Sequence, residues 1–252
     1  MILTVVGSGT LVPHALRSTP ALALVEGEFQ ITVDGGSGTL RRQAELGIDF
    51  RRTHTLFFTH VHPDHTLDLL HFLFATAYTP GYRRKDPVRI AGPRGFRAFV
   101  EAYRDGIHSW TRGGDGGLEI RELEDGDQVE LPGLTVEAVG LHHSVRDLGY
   151  RFVDRRGRTA AFTGDTGPGE GLIRLARNVD VFVCECSGDA AHPMEGHLTA
   201  PQAGEAARAA EAGQLVLTHL YPLADDRVRI REAAERFPGP VLLASDGDRF
   251  MV

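Results

Sequence analysis

Residues 54–67 read HTLFFTHVHPDHTL, and their second half places His60, His62, Asp64 and His65, four potential metal ligands, within six positions. Imidazole and carboxylate suit zinc and neighbouring first-row ions, so this crowding points to a cation. A helix cap would need one such side chain, and this loop carries four. The preceding run, Thr55 to Thr59, is short, apolar and rich in aromatic and β-branched residues, which reads as a buried strand. The ligands then follow a strand's carboxyl end.

Upstream, Ile2 to Val6 reads as a strand closed by Gly7-Ser8-Gly9-Thr10. This is not a dinucleotide fingerprint, because the third glycine is missing and Pro13 interrupts where a helix should begin. Ala21 to Val25 and Gln30 to Val33 suit a hairpin around Gly27, ending at Asp34 in a glycine loop. Asp34 is there either a turn or helix cap or a metal ligand. Thr39 to Leu46 follows as a helix stopped by Gly47.

Downstream, Leu67 to Ala77 carries apolar residues at helical spacing, with Phe72 and Phe74 widening the buried face and His71 packing or facing solvent. Arg83, Arg84 and Lys85 lie in a Pro- and Gly-rich loop, as a solvated turn or as contacts for an anionic substrate. Ser109 to Gly117, with Trp110, is a glycine-rich loop or a lid. From Leu118 the chain becomes a run of strands with turns at Asp125-Gly126 and Pro132-Gly133. One strand ends at His142-His143, the next at Gly164-Asp165, and Val179 to Cys186 is another. Cys184 and Cys186 would point the same way along it, as reduced core thiols. His197 sits in Gly196-His197-Leu198-Thr199, just before a helix over Pro201 to Ala212 whose capping box is Thr199 with Gln202. Leu215 to Thr218 is a strand that stops at His219.

No linker or repeat divides the 252 residues, so one domain, 1–252, is expected. No apolar run is long enough for a membrane span and no basic segment precedes the first apolar residues, which makes a cytoplasmic location the default expectation. The net charge of −7 argues against a broad nucleic-acid-binding surface.

Four separate loops offer a ligand directly after a strand: His60 to His65, His142 or His143, Asp165, and His219. Loops at the carboxyl ends of strands line the functional crevice of α/β sheets, so these segments can converge. Five histidines and two aspartates exceed what one tetrahedral zinc takes, and a pair of ions sharing one carboxylate uses them all.

These residues carry a resemblance to the metallo-β-lactamase superfamily and, within it, to the ribonuclease Z group of phosphodiesterases. HVHPDH matches the superfamily motif, and the similarity extends through VDGGSGT, HSVRDLGYRF, TGDTGP, GHLTA, LTHLYP and SDGDRF. The resemblance implies an α/β fold, a four-layer αββα sandwich of two mixed sheets flanked by helices, and two Zn²⁺ per chain, with Mn²⁺ as the other candidate. It implies that His60, His62 and His143 hold one ion, that Asp64, His65 and His219 hold the other, and that Asp165 bridges them. It further implies that His197 acts catalytically beside the metals, that Asp64 doubles as a proton acceptor, and that the chain can form a homodimer; Glu185, near the end of its strand, is a separate candidate to orient His197.

One departure bears on the substrate. Full ribonuclease Z enzymes carry a long arm between the ligand histidine and the bridging aspartate, and here His143 and Asp165 lie only 22 positions apart. A small or nucleotide-like phosphodiester is therefore expected, with extended RNA disfavoured and compact cyclic-phosphate phosphodiesterases as closer functional relatives. The competing expectations are ribonuclease Z-type RNA processing, a glyoxalase II-like hydrolase of a thioester, lactone or β-lactam, and a metal-stabilised binding protein without turnover.

Overall fold

A computed structural model describes residues 1–107, 114–223 and 225–252. The segment read as a loop or a lid, Ser109 to Gly117, lies outside the described residues as far as position 113.

The first sheet is built from β1 (Ile2–Gly7), β2 (Ala21–Glu26), β3 (Phe29–Val33), β4 (Thr53–Phe57), β5 (Val88–Pro93) and β6 (Leu118–Leu123). The second takes β7 (Gln128–Leu131), β8 (Leu134–Gly140), β9 (Leu148–Asp154), β10 (Thr159–Phe162), β11 (Val181–Glu185), β12 (Leu215–Thr218) and β13 (Val241–Leu243), and β14 (Arg249–Met251) returns to the first. The strand orders are β14-β1-β2-β3-β4-β5-β6 and β13-β12-β11-β10-β9-β8-β7. Both sheets are mixed in the same way. Antiparallel pairs run from β14 to β3 and from β7 to β10, and parallel pairs from β3 to β6 and from β10 to β13. The turn at Asp125-Gly126 carries the chain from one sheet to the other.

Alternation along the strands creates the layers. Leu3, Val5, Leu22, Leu24, Ile31, Val33 and Phe57 meet Val136, Ala138, Tyr150, Phe152, Val183 and Val216 between the sheets. On β4, Leu56 and the following Phe58 point the other way, against Leu69, Phe72 and Leu73 of α3 (Asp68–Tyr78) and Phe96 and Val100 of α4 (Phe96–Ile107). Outward residues of the second sheet, Phe182, Cys184, Leu215 and Leu217, are covered by α5 (Glu170–Ala176), α6 (Ala200–Ala209) and α7 (Asp226–Ala234). The architecture is the αββα sandwich expected, and both cysteines are free, buried and on one face.

Two local expectations change. The helix expected from Leu67 is preceded by a separate short turn, α2 (Pro63–Thr66), so Asp64 and His65 sit on helix rather than loop; Pro63 occupies its first turn, where the missing N–H costs nothing. Phe74 is exposed and packs on Tyr78 at 4.8 Å, while Phe72 alone enters the core. Of the basic loop residues, half-buried Arg84 donates to the Thr53 carbonyl at 2.8 Å, and exposed Arg83 pairs with Asp115. Among the described residues no helix is long and apolar enough to cross a membrane.

Two bonds tie the ligand segment of the first sheet to the second. The Tyr150 hydroxyl donates to the Phe58 carbonyl at 2.6 Å, and the Leu148 N–H donates to the Thr59 carbonyl at 3.0 Å. Phe57 lies fully buried beneath them with its ring 5.3 Å from Tyr150. Phe57→Ala should lower the unfolding free energy by about 3–5 kcal/mol in urea titrations. A loss below about 1 kcal/mol would contradict its place between the sheets.

Candidate metal centre

The seven expected ligands come from four strand ends. β4 leads through Phe58 and Thr59 to His60, His62 and the α2 pair Asp64 and His65; β8 leads to His143, β10 to Asp165 and β12 to His219. Gly36, after β3, makes room for α2, because a Cβ there would lie 1.8 Å from the Asp64 carbonyl oxygen. His219 adopts a positive φ of 56°, and Asp34 one of 58°. Left-handed backbone at non-glycine residues is costly and collects at functional sites.

The structure brings all seven side chains together. His60, His62, His143 and Asp165 form one group, and Asp64, His65 and His219 another, with the potential ligand atoms of each group within 4.8 Å of one another. Asp165 lies between them: its Oδ1 is 3.1 Å from His219 Nε2 and 3.3 Å from His65 Nε2, and its Oδ2 is 3.8 Å from His60 Nε2. His142 is exposed and stays outside, so of the adjacent pair only His143 enters the cluster.

The donor set fits a metal. His65 Nε2, His143 Nε2, His219 Nε2 and Asp165 Oδ1 are buried atoms without a hydrogen-bond partner among the described residues. Such atoms are costly unless something coordinates them. His60 Nε2 and His62 Nδ1 lie 3.0 Å apart, close to the separation of about 3.4 Å between two nitrogens on one tetrahedral zinc.

Outside this layer, two buried carboxylates set the imidazole orientations. Asp34 is not a helix cap: its Oδ2 accepts from His65 Nδ1 at 2.8 Å and from the Thr59 hydroxyl at 2.9 Å, and that hydroxyl accepts from His60 Nδ1 at 2.9 Å. Glu185 repeats the pattern across the interface. Its Oε1 accepts from His197 Nδ1 at 2.9 Å, its Oε2 from the Ser187 hydroxyl at 2.8 Å, and Ser187 Oγ accepts from His219 Nδ1 at 2.9 Å. Each carboxylate thus holds one ring directly and one through a hydroxyl, leaving the opposite nitrogen aimed inward. His143 Nδ1 donates to the Gly196 carbonyl at 2.9 Å. The roles of Asp34, Thr59 and Ser187 escaped the sequence reading; the only signal was a polar residue immediately after a strand.

Electrostatics follow from this packing. Burial pushes His60 well below the usual imidazole range, helped by the neighbouring His65. Burial acts the same way on His65, but Asp165 and Asp34 outweigh it and hold this ring well above that range. Burial would raise Asp165, yet His219, His65 and His60 keep it well below the carboxylate range. Asp147, fully buried with Oδ2 3.0 Å from His60 Nδ1, is pushed well up by burial and by Asp165 and Asp34. Among the described residues neither of its oxygens has a well-aligned donor, because His60 Nδ1 is directed at Thr59. His197 is raised: burial opposes the shift, and the bond from Glu185 overcomes it. Its ring stacks on His219 at 5.5 Å with 12° between planes.

Two mixed sheets with histidines and aspartates clustered at their strand ends define a metallohydrolase of the β-lactamase type. The chain belongs to that superfamily: residues 30–220 match the family model described as beta-lactamase superfamily domain. It is similar to ribonuclease Z of Myxococcus xanthus, 28% identical over 301 residues that cover 97% of this chain and 95% of the relative. Among solved structures, the metallo-β-lactamase fold protein YhfI of Bacillus subtilis superposes with a TM-score of 0.86 at 23% identity, covering 99% of this chain and 98% of that one. The short form of human tRNase Z superposes with a TM-score of 0.79 at 24% identity, over 100% and 99% of the two chains.

Ser187→Ala removes the hydroxyl between His219 and Glu185 and leaves the seven clustered side chains unchanged. Zinc titrated against a chelator should bind at least about tenfold more weakly than to the parent protein, the range expected when an outer-layer partner is lost. Equal affinity would show that the hydroxyl does not orient His219.

Proposed function

We infer that the chain is a dinuclear metal-dependent phosphodiesterase acting on a small or nucleotide-like diester. The reading assigns His60, His62 and His143 to one ion, Asp64, His65 and His219 to the other, and Asp165 to a bridge, with zinc as the metal and manganese as its alternative. It treats residues 1–252 as one catalytic domain, because both sheets contribute to the centre. When bound, such a pair of dications supplies an ionised water near neutral pH and Lewis-acid stabilisation of charge on the phosphoryl oxygens.

The observation that carries the phosphoryl reading is His197. It is partly buried, is held at Nδ1 by Glu185 at 2.9 Å, and offers a ligand atom near Asp165 and His219, while the two groups of ligands described above form without it. Held in that way, its Nε2 can carry a proton to a departing alkoxide or steady the charge on the phosphoryl oxygens. Burial opposes protonation of this ring, and the Glu185 carboxylate outweighs it and favours the acid form. Asp64 is assigned as ligand and as proton acceptor; His65 and His219 hold its carboxyl down against the effect of burial, so it is ionised when a proton must be received.

Substrate size follows from the interval between His143 and Asp165. β9 (Leu148–Asp154) and β10 (Thr159–Phe162) occupy half of it, and a turn closed by Arg158 and Asp154 at 3.0 Å joins them. No arm for gripping a folded RNA fits there, which favours a compact diester over precursor transfer RNA.

Zinc-loaded protein should cleave bis-p-nitrophenyl phosphate, and His197→Ala should retain its metal by mass spectrometry while kcat falls about a hundred- to ten-thousand-fold. In Glu185→Gln the histidine loses the carboxylate that raises its pKa, so the basic limb of the kcat/KM profile should move to lower pH. Rapid turnover of a glutathione thioester with an inert diester would replace this reading by the carboxylic-ester one. Metal lost together with activity in His197→Ala would make that residue a ligand.

A further inference from the structure

Beyond the metal cluster, the loop after β12 and the loop between β1 and β2 enclose a cavity of about 460 Å³. That volume lies within the range of small-molecule sites. Tyr221 connects the cavity to the chemistry. Its ring lies 5.7 Å from His219 and 6.2 Å from His197, and the same side chain lines the cavity. Across from it stands Leu16, an apolar side chain that is 80% exposed on the β1–β2 loop. Isolated exposed leucines are ordinary, but one on the wall of a cavity beside an aromatic ring makes an apolar slot.

Charge decides what the slot accepts. Asp225, Asp226 and Arg17 all line it. Arg17 is already committed: it pairs with Asp226 at 2.9 Å and donates to the Ser8 hydroxyl at 2.8 Å and the Ala244 carbonyl at 2.6 Å. Asp226 also meets Arg229 at 3.2 Å. Asp225 accepts the Arg227 N–H at 2.8 Å as the cap of α7, and among the described residues no cation pairs with it. Tyr221 and Leu16 give the lining an apolar side, and His14, Ser245 and a surplus carboxylate give it a polar one. It attracts hydrogen-bond donors and repels a second phosphate.

We propose that this cavity is the leaving-group subsite and that it takes a neutral, flat, donor-bearing group, a nucleoside without further phosphates. The assignment rests on the phosphodiesterase reading, in which His197 protonates the departing oxygen. A group held against Tyr221 presents that oxygen to His197, and a polynucleotide leaving group would have to place its next phosphate against Asp225.

The test compares three methyl phosphodiesters of similar leaving-group basicity on zinc-loaded protein: dimethyl phosphate, the methyl ester of thymidine 5′-phosphate, and the same ester with a 3′-phosphate added. Release of methanol or thymidine is followed by NMR and chromatography. The thymidine ester should exceed dimethyl phosphate in kcat/KM by at least about tenfold, and the added phosphate should remove most of that advantage. Tyr221→Ala and, to cover a folding defect in that variant, Leu16→Asp should each erase the preference, while Asp225→Asn should restore tolerance of the extra phosphate. Equal kcat/KM for the first two esters, or an unchanged ratio in both wall variants, would overturn the proposal. Bis-p-nitrophenyl phosphate reports the parent reading separately. If that diester is inert, calorimetric binding of thymidine that weakens in Tyr221→Ala still supports the subsite, and no binding ends it.

Discussion

Two buried carboxylates, Asp34 beneath one sheet's strand ends and Glu185 beneath the other's, hold the centre together. Each accepts an imidazole N–H directly and a second through a hydroxyl, so four rings are fixed in one tautomer with the other nitrogen turned inward. A histidine without such a partner would sample both tautomers and several orientations, and a multi-histidine site would lose the preorganisation that metal binding needs. Asp34 and His219, both with left-handed backbone, belong to this same layer.

The arrangement concentrates negative and positive charge in a space that excludes water. Asp34, Asp147, Asp165 and Glu185 are all buried. Bringing that many carboxylates together is unfavourable unless cations or hydrogen-bond donors compensate. Asp34 and Glu185 have their donors, and Asp165 has the ring of histidines around it. Asp147 has none of comparable alignment and is driven toward its neutral form by burial. Bound dications would relieve the remaining imbalance, since they compensate Asp165 and Asp64 and favour neutral imidazoles. Stability of the interface between the sheets and occupancy of the centre are therefore coupled through the same residues.

Much of this was legible in the sequence because it is local. HVHPDH is a dense signal by itself, and His143, Asp165 and His219 each follow an apolar β-rich run whose carboxyl end defines a crevice. What could not be read is what depends on side-chain direction across the interface. A lone Asp34 in a glycine loop looks like a turn former, and Ser187 looks like any polar residue after a strand. Arg229 carries no local sign of burial, and it is buried and bonded to the Ser187 carbonyl at 3.1 Å and to the Asp226 carboxylate. The turn at Asp125-Gly126 looks like a hairpin turn and instead transfers the chain between sheets, because nothing local distinguishes pairing with the preceding strand from crossing the core. Phe74 fits the apolar period of its helix, but among the described residues it stays exposed.

The central claim is that ligands from both sheets surround two neighbouring ions with Asp165 between them. Anomalous diffraction at the zinc edge, from crystals grown with excess zinc, tests it most directly. The account predicts two peaks about 3.5–4 Å apart, one beside His60, His62 and His143 and one beside Asp64, His65 and His219, with an Asp165 oxygen reaching each. A single peak, or two peaks that Asp165 does not join, would contradict it.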